Sequence, residues 1–553
     1  MENKNPNLKN LFTIIFILMV ANFAGHYLFK RFDLTEDKRY TLSKSTINII
    51  KQVKEPIYID VFLEGDFPPE FRRLRNETYH LLDEFKNYNN NIIFYFNNPL
   101  EDDELAEQNS KDLIGFGLAP TNINQTIKGK KTVSQIFPWA IASVGTKKVR
   151  IPLLVNNFGF TPEDNINKSI QLLEYEISNA ISKLTNKNLK KIAVLKGNGE
   201  ISDKYLADYL INLKENYIIA EFNLDSLKND LPKTLSNIKR FDAALIAKPT
   251  EPFSENEKYI LDQYIMNGGK TMWLIDQVSI DLDSLQNPEQ TSIAYPLNLN
   301  LDDMFFKYGF RINPKLIQDV LSTPITLKSE RGDIPIDWLY SPIVKSEENN
   351  VINKNLNLVK LEFANQIDTL KNKIKKTVLL KSSKISKTVG TLMPISLNQF
   401  MVPLNESDYN NGNQIIGVLL EGKFSSGFKN RVKPNNAYKS IDEGLNSKMI
   451  VIADGDIVNY KYVNKKPLIN DIDQWTQQVY GNKNFLINSM NYLLDDNGLI
   501  NIRSKEVDLP ILDTQKVVDN YTYSQIVTIG FPITLVLLFG VVFTYLRKKK
   551  YSK

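Results

Sequence analysis

Ile192-Ala193-Val194-Leu195-Lys196-Gly197-Asn198-Gly199-Glu200 sets a four-residue apolar run directly against a glycine-rich turn. A run this short, closed by turn residues, reads as a strand buried on both faces. The pattern returns at Ala243–Ala247 and again over residues 271–275, which end at Asp276. Between these two runs Ser254 and Glu257 stand three apart, the spacing of a capping box, and open a helix that Gly268-Gly269 stops. Strands alternating with helices predict a parallel sheet with helices on both faces. The run over residues 449–453, ending at Asp454-Gly455-Asp456, repeats the buried-strand pattern and is expected to rejoin that sheet. A mixed insertion over about residues 300–448 precedes it, with a strand-like piece at 415–420. A helix over residues 484–494 and a last strand near 499–502 complete an α/β domain assigned to residues 188–515.

Upstream, a first α/β domain is assigned to residues 30–187. Ser43 is placed to cap a helix, with Leu42 and Ile47 spaced as a hydrophobic staple. Ile57, Ile59, Val61 and Leu63 alternate with other residues as in a half-buried strand, which Gly65, Pro68 and Pro69 break. A helix carrying Leu74, Leu82 and Phe85 follows, and then a strand over residues 92–96. This β-α-β unit is like the start of a thioredoxin-type domain. Where a redox protein would carry two cysteines it has Gly65-Asp66-Phe67-Pro68. A hairpin around Gly145-Thr146 and an amphipathic helix marked by Ile166, Ile170, Leu173, Ile177, Ile181 and Leu184 close the domain at the polar run 185–188.

The chain has 553 residues, 42% hydrophobic and 24% charged, too long for one core. Its ends are apolar. Residues 11–29 carry no charge apart from the titratable His26, and the run outlasts the apolar core of a signal peptide, so it reads as an uncleaved anchor. A second uncharged run, 526–546, precedes the basic tail 547–553, which begins Arg547-Lys548-Lys549-Lys550. Such a tail stays in the cytoplasm, and an even number of spans puts residues 1–10 there too. The expected fold class is therefore α/β, with two transmembrane helices flanking a periplasmic region at the bacterial inner membrane.

The net charge of +5 is dispersed, so nucleic acid is not indicated. No cysteine is present and the only histidines are His26 and His80, which removes thiolate chemistry and leaves no metal site to assign. Gly269-Lys270-Thr271 imitates a phosphate loop, but Tyr264 stands where its first glycine belongs. Gly197-Asn198-Gly199 lacks the third glycine of a dinucleotide fingerprint. Glu101-Asp102-Asp103-Glu104 reads as a solvated loop, and Arg331-Gly332-Asp333 as a turn. No catalytic residue and no cofactor is assigned, and the chain is expected to bind or couple rather than catalyse. Gly197, Gly199, Glu200 and Asp276 are retained as strand-end residues for a ligand or a packing turn. Asp33, Leu34, Thr35, Arg39 and Tyr40, in the polar collar after the first apolar run, are candidates for a partner interface or an interfacial membrane anchor.

Several blocks carry a family resemblance. Asp33-Leu34-Thr35-Glu36-Asp37-Lys38-Arg39-Tyr40-Thr41-Leu42-Ser43 is the most specific. Leu173-Glu174-Tyr175-Glu176, Leu195-Lys196-Gly197-Asn198-Gly199-Glu200, Leu420-Glu421-Gly422-Lys423-Phe424 with Asn430-Arg431, Ala453-Asp454-Gly455-Asp456 and Gly481-Asn482-Lys483-Asn484-Phe485 add to it. In these blocks the chain resembles, almost end to end, the gliding-motility-associated ABC transporter auxiliary proteins of the GldG type, within the ABC-2-type auxiliary components. The resemblance implies a membrane-anchored, non-enzymatic auxiliary subunit, with substrate binding as its suggested task. It also implies a separate permease and cytoplasmic ATPase as partners and an association with gliding motility and with envelope or secretion machinery. The Gly199-Glu200 turn and the strand end at Asp276 are similar to a glutamine-amidotransferase-like sheet without its catalytic cysteine. A membrane-tethered envelope hydrolase and a structural envelope tether stay open as alternatives.

Overall fold

The β-branched and aromatic run Ile57–Val61 and the run Ile92–Phe96 pair in parallel across the helix Pro69–Tyr88, which Pro69 starts at its first turn. In the computed structural model these are strands β1 and β2. Two further strands, β3 (Trp139–Val144) and β4 (Lys147–Pro152), form the hairpin that turns at Gly145-Thr146. β3 runs antiparallel to β1, giving a four-stranded sheet in the order β2-β1-β3-β4. The helix Pro162–Thr185 follows, opened by a capping box between Thr161 and Asp164. It buries Ile166, Ile170, Leu173, Ile177, Ile181 and Leu184, the stripe that its periodicity marks.

The second sheet has seven strands: β5 (Lys191–Lys196), β6 (Ile218–Asn223), β7 (Ala243–Ala247), β8 (Lys270–Leu274), β9 (Lys375–Lys381), β10 (Ile415–Ser425) and β11 (Glu443–Ile452). Their order is β9-β10-β11-β8-β7-β5-β6. The five strands from β11 to β6 are parallel; β10 runs against them beside β11, and the edge strand β9 pairs antiparallel with β10 and so points the same way as the five. The sheet is thus mixed rather than wholly parallel. The stretch read as an insertion supplies β9 and β10, and β11 rejoins the parallel set beside β8 as expected. Ile192 and Val194 face one core with the helices Asp203–Lys214 and Asn482–Leu494, while Ala193 and Leu195 face the other with Glu255–Met266. That alternation is why β5 reads as continuously apolar. The expected strand near 499–502 is a 3-10 helix, Ile500–Ser504. The Asp495 carboxylate accepts the Leu499 and Ile500 N–H groups and curls the chain.

The structure describes residues 6–27, 41–102, 104–127, 130–155, 160–186, 188–225, 230–329, 332–345, 350–398, 404–434, 439–459, 462–463, 466–467, 472–496, 498–504 and 518–551. The candidate collar residues Asp33, Leu34, Thr35, Arg39 and Tyr40 lie outside them, as do Asp103, Lys187 and Arg331. Residues 1–505 make one compact unit and 506–553 another. In the second unit, a helical segment Tyr521–Gln525 passes through a π-turn, Ile526–Gly530, into the helix Phe531–Tyr551. Among the described residues Tyr521–Tyr551 is the one helix long and apolar enough to cross a membrane. The helix Pro6–Tyr27 carries the shorter apolar stretch Leu11–Val20.

Candidate functional site

The chain leaves β5, runs out to the edge strand β6 and returns to β7 on the other side of β5. The loops after β5 and β7 therefore part at a topological switch point, where α/β sheets commonly hold ligands. Here the two loops lie on each other. Both Thr250 and Glu251 donate their N–H groups to the Asn198 carbonyl at 3.0 Å, and the Thr250 hydroxyl donates to the Gly199 carbonyl at 2.9 Å. Gly199 has φ +69, and a Cβ there would stand 2.2 Å from Thr250 Oγ1. Glycine is required at that position by conformation and by space.

Buried Asn198 turns its Nδ2 to the Glu257 carboxylate, 3.3 Å from each oxygen. Glu257 also accepts the Ser254 N–H at 2.7 Å, so the capping box fixes the helix and the β5 turn together. Glu200 folds back to accept the Asn198 N–H at 2.8 Å. Burial pushes its carboxyl above the usual range, against the pull of that bond.

Asp276, past the end of β8, belongs to a second group that the loop Lys248-Pro249-Thr250 joins to the first. Lys248 follows β7 with φ +50. Its Nζ lies 2.5 Å from Asp456 Oδ1 and 3.6 Å from Asp276 Oδ2. Asp276 Oδ1 accepts the Gly455 N–H at 2.6 Å. Asp454 accepts from the Glu362, Asp456 and Ile457 backbones at 2.7, 2.8 and 3.0 Å. Burial lifts Asp276 to about 6, with Lys248 opposing, and lifts Asp454 well above its usual value, with Asp276 and Asp456 adding to the rise. Burial works against the Lys248 ammonium, and the Asp456 and Asp276 carboxylates reverse that and hold it charged. Carboxylate oxygens of Asp276, Asp454 and Asp456 come within 4.8 Å of one another, close enough to hold a cation, and the Lys248 ammonium is paired to two of them. The group ties the ends of β7, β8 and β11 together.

The residues that sequence reasoning missed here are Lys248 and Glu257 as a partner of Asn198. A lone lysine after an apolar strand gives no sign of a carboxylate 208 residues away.

The collar ends at a defined contact. Ser43 caps the helix Lys44–Lys51, its Oγ accepting the Thr46 N–H at 3.1 Å. The buried Glu174 carboxylate accepts both the Ser43 N–H and the Thr46 hydroxyl at 2.7 Å. The next residue on that helix, Tyr175, lies under the Arg503 guanidinium, 4.9 Å from the ring centre. Burial raises Glu176, and Arg503 opposes the rise. Leu173-Glu174-Tyr175-Glu176 therefore contacts both Ser43, near where the described residues resume at 41, and Arg503, next to their stop at 504.

A family model described as an ABC-type uncharacterized transport system matches residues 189–489, more than half of the chain. The chain belongs to this ABC-type transport-system family. Membership of the ABC-type transport-system family carries a transport-associated auxiliary role, and with the apolar helix Tyr521–Tyr551 it indicates membrane association. A domain of unknown function matches residues 36–143, ahead of the transport-system region. An uncharacterized protein of Borreliella burgdorferi is 25% identical over 571 residues, covering 100% of both chains. The solved mmIFT52 N-terminal domain is 13% identical, covers 56% of this chain and 99% of that one, and gives a TM-score of 0.33. At that score the likeness bears on neither fold nor function.

Proposed function

We propose that this chain is a non-enzymatic auxiliary subunit of an ABC transporter, anchored in the bacterial inner membrane by a helix near each end, with its α/β body in the periplasm. The permease and the ATPase are separate chains. The observation that carries the reading is the pair of contacts on one helix: Ser43 bonds to Glu174 and Arg503 covers Tyr175. Ser43 and Arg503, among the described residues of the body nearest in sequence to the two apolar runs, thus meet neighbouring positions of one helix, which is compatible with two anchors in one bilayer. Thioredoxin-like and amidotransferase-like ancestry fits the two sheets. At the switch point the loops fill the crevice, and the nearby carboxylates are committed to backbone amides and Lys248, which supports a role without catalysis. The association with gliding motility is what the GldG-type resemblance adds.

Purification from solubilised membranes tests the assembly. A multi-span permease and an ATPase should accompany the chain, and the chain stripped of both should hydrolyse no ATP. Recovery of the chain alone from gently solubilised membranes, or ATP turnover by the stripped chain, contradicts the proposal. The collar residues Asp33, Leu34, Thr35, Arg39 and Tyr40 are the proposed permease contact. Replacing Arg39 and Tyr40 by alanine should weaken copurification while leaving insertion intact, and wild-type copurification would reduce the collar to an interfacial anchor.

A further inference from the structure

Between the helix Pro162–Thr185 and the seven-stranded sheet lies a cleft of about 260 Å³, bordered by Tyr175, Asn179, Asn216, Tyr217 and Asn491. Its size falls just below the range of roughly 300–1,000 Å³ for small-molecule pockets, and its place, at the junction of two sheets' domains, is where such pockets concentrate. The lining is rich in amides. Tyr217 donates to Asn491 Oδ1 at 2.7 Å, and Asn491 Nδ2 reaches the Tyr175 hydroxyl at 3.4 Å, so a polar chain runs along one wall. Asn216 has a buried Oδ1 with no hydrogen-bond partner among the described residues. A buried amide oxygen left unpaired costs about 1–3 kcal/mol.

The charged groups at the cleft are matched within the protein. Lys190 pairs with Asp496 at 2.6 Å and Asp242 at 3.4 Å, and Lys183 with Glu215 at 3.2 Å. Asp495 is held by the Leu499 and Ile500 N–H groups. An ionic ligand would have to break one of these pairs. A neutral ligand whose hydroxyl or amide groups both donate and accept would instead match side-chain amides, which do the same. We infer that this cleft binds a small, neutral, hydroxyl-rich molecule of about one sugar ring. The inference concerns the isolated chain and does not depend on assembly with a transporter, so loss of either leaves the other standing.

Calorimetric titration of the purified full chain, in a detergent without a sugar headgroup, tests this with N-acetylglucosamine, glucose and myo-inositol as probes and glutamate and phosphate as charged controls. At least one neutral probe should bind with a dissociation constant of ~1 mM or better, and the charged controls should not. Asn179→Ala and Tyr217→Phe, shown to be folded by near-ultraviolet circular dichroism, should each weaken that binding about 3- to 10-fold, the worth of one neutral hydrogen bond. Absence of heat with all three neutral probes at ~10 mM, equal or tighter binding of glutamate or phosphate, or binding unchanged in both variants overturns the inference.

Discussion

The Glu174 carboxylate accepts the backbone N–H of Ser43 at 2.7 Å across 131 residues of sequence. The same oxygen accepts the Thr46 hydroxyl at 2.7 Å, so one buried side chain satisfies the opening turn of the helix Lys44–Lys51 from outside. Glu174→Leu removes that acceptor and leaves the half-buried Ser43 N–H without it, while the Thr46 hydroxyl keeps Ser178 Oγ at 3.1 Å. The variant should lose about 1–3 kcal/mol of stability, read from denaturant midpoints at unchanged slope, whereas Glu174→Gln, which keeps one acceptor oxygen, should lose about half of that. Equal stability of Glu174→Leu and wild type would mean that the contact contributes nothing.

Arg503→Met takes away the cation that covers Tyr175 and opposes the rise of Glu176. Without it the folded-state pKa of Glu176 climbs further above its unfolded value. Between those two values the folded state holds more protons than the unfolded one, so stability falls as pH rises. The variant's deficit should therefore be larger at pH 7 than at pH 5, at about 1–3 kcal/mol. A deficit independent of pH would assign the loss to packing alone.

Asp276 gives the same sign from a different place. Its folded value of about 6 lies above its unfolded value, so its ionisation opposes folding progressively as pH rises from the ordinary carboxylate range through 6. Asp276→Asn keeps an acceptor for the Gly455 N–H and removes the titration. The stability difference between wild type and variant should shift in favour of the variant across that interval, by up to a few kcal/mol. Parallel stability curves between pH 4 and pH 7 would show that Asp276 does not titrate there.

Gly199→Ala places a Cβ 2.2 Å from Thr250 Oγ1 at a φ of +69. It should cost more than about 2 kcal/mol, since clash and conformation add. Thr250→Ala in the same chain removes the clash and should restore part of the loss, leaving roughly the 1–2 kcal/mol of the left-handed backbone. A double variant no more stable than Gly199→Ala would place the strain elsewhere.

What the sequence disclosed is what local chemistry encodes. The box of Ser254 and Glu257 forms with both of its bonds, and the bounds of Ala243–Ala247 and Ile92–Phe96 coincide with the strands. Strand direction was not legible, because alternation along residues 415–425 is the same whichever way the neighbour runs. The edge strand Ile218–Asn223 is largely exposed and gave no buried run to notice. At 499–502 a short apolar run fits a strand or a helical turn equally, and Asp495 decided it. In the candidate site, Gly199 and Asp276 could be picked out as strand-end residues, while Lys248 could not, since its carboxylates come from other strands.

Tension applied between the two ends of the body would run from Thr41 through Ser43 and Glu174 to Tyr175 and Arg503, crossing the helix Pro162–Thr185 at two adjacent residues. Neither β-sheet lies on that route. A pull on either end would be borne by the middle of the helix Pro162–Thr185, and the strands would be shielded from shear. The same helix walls the amide-lined cleft one turn further on, at Asn179, so the part of the molecule that carries the load is also the part best placed to register it.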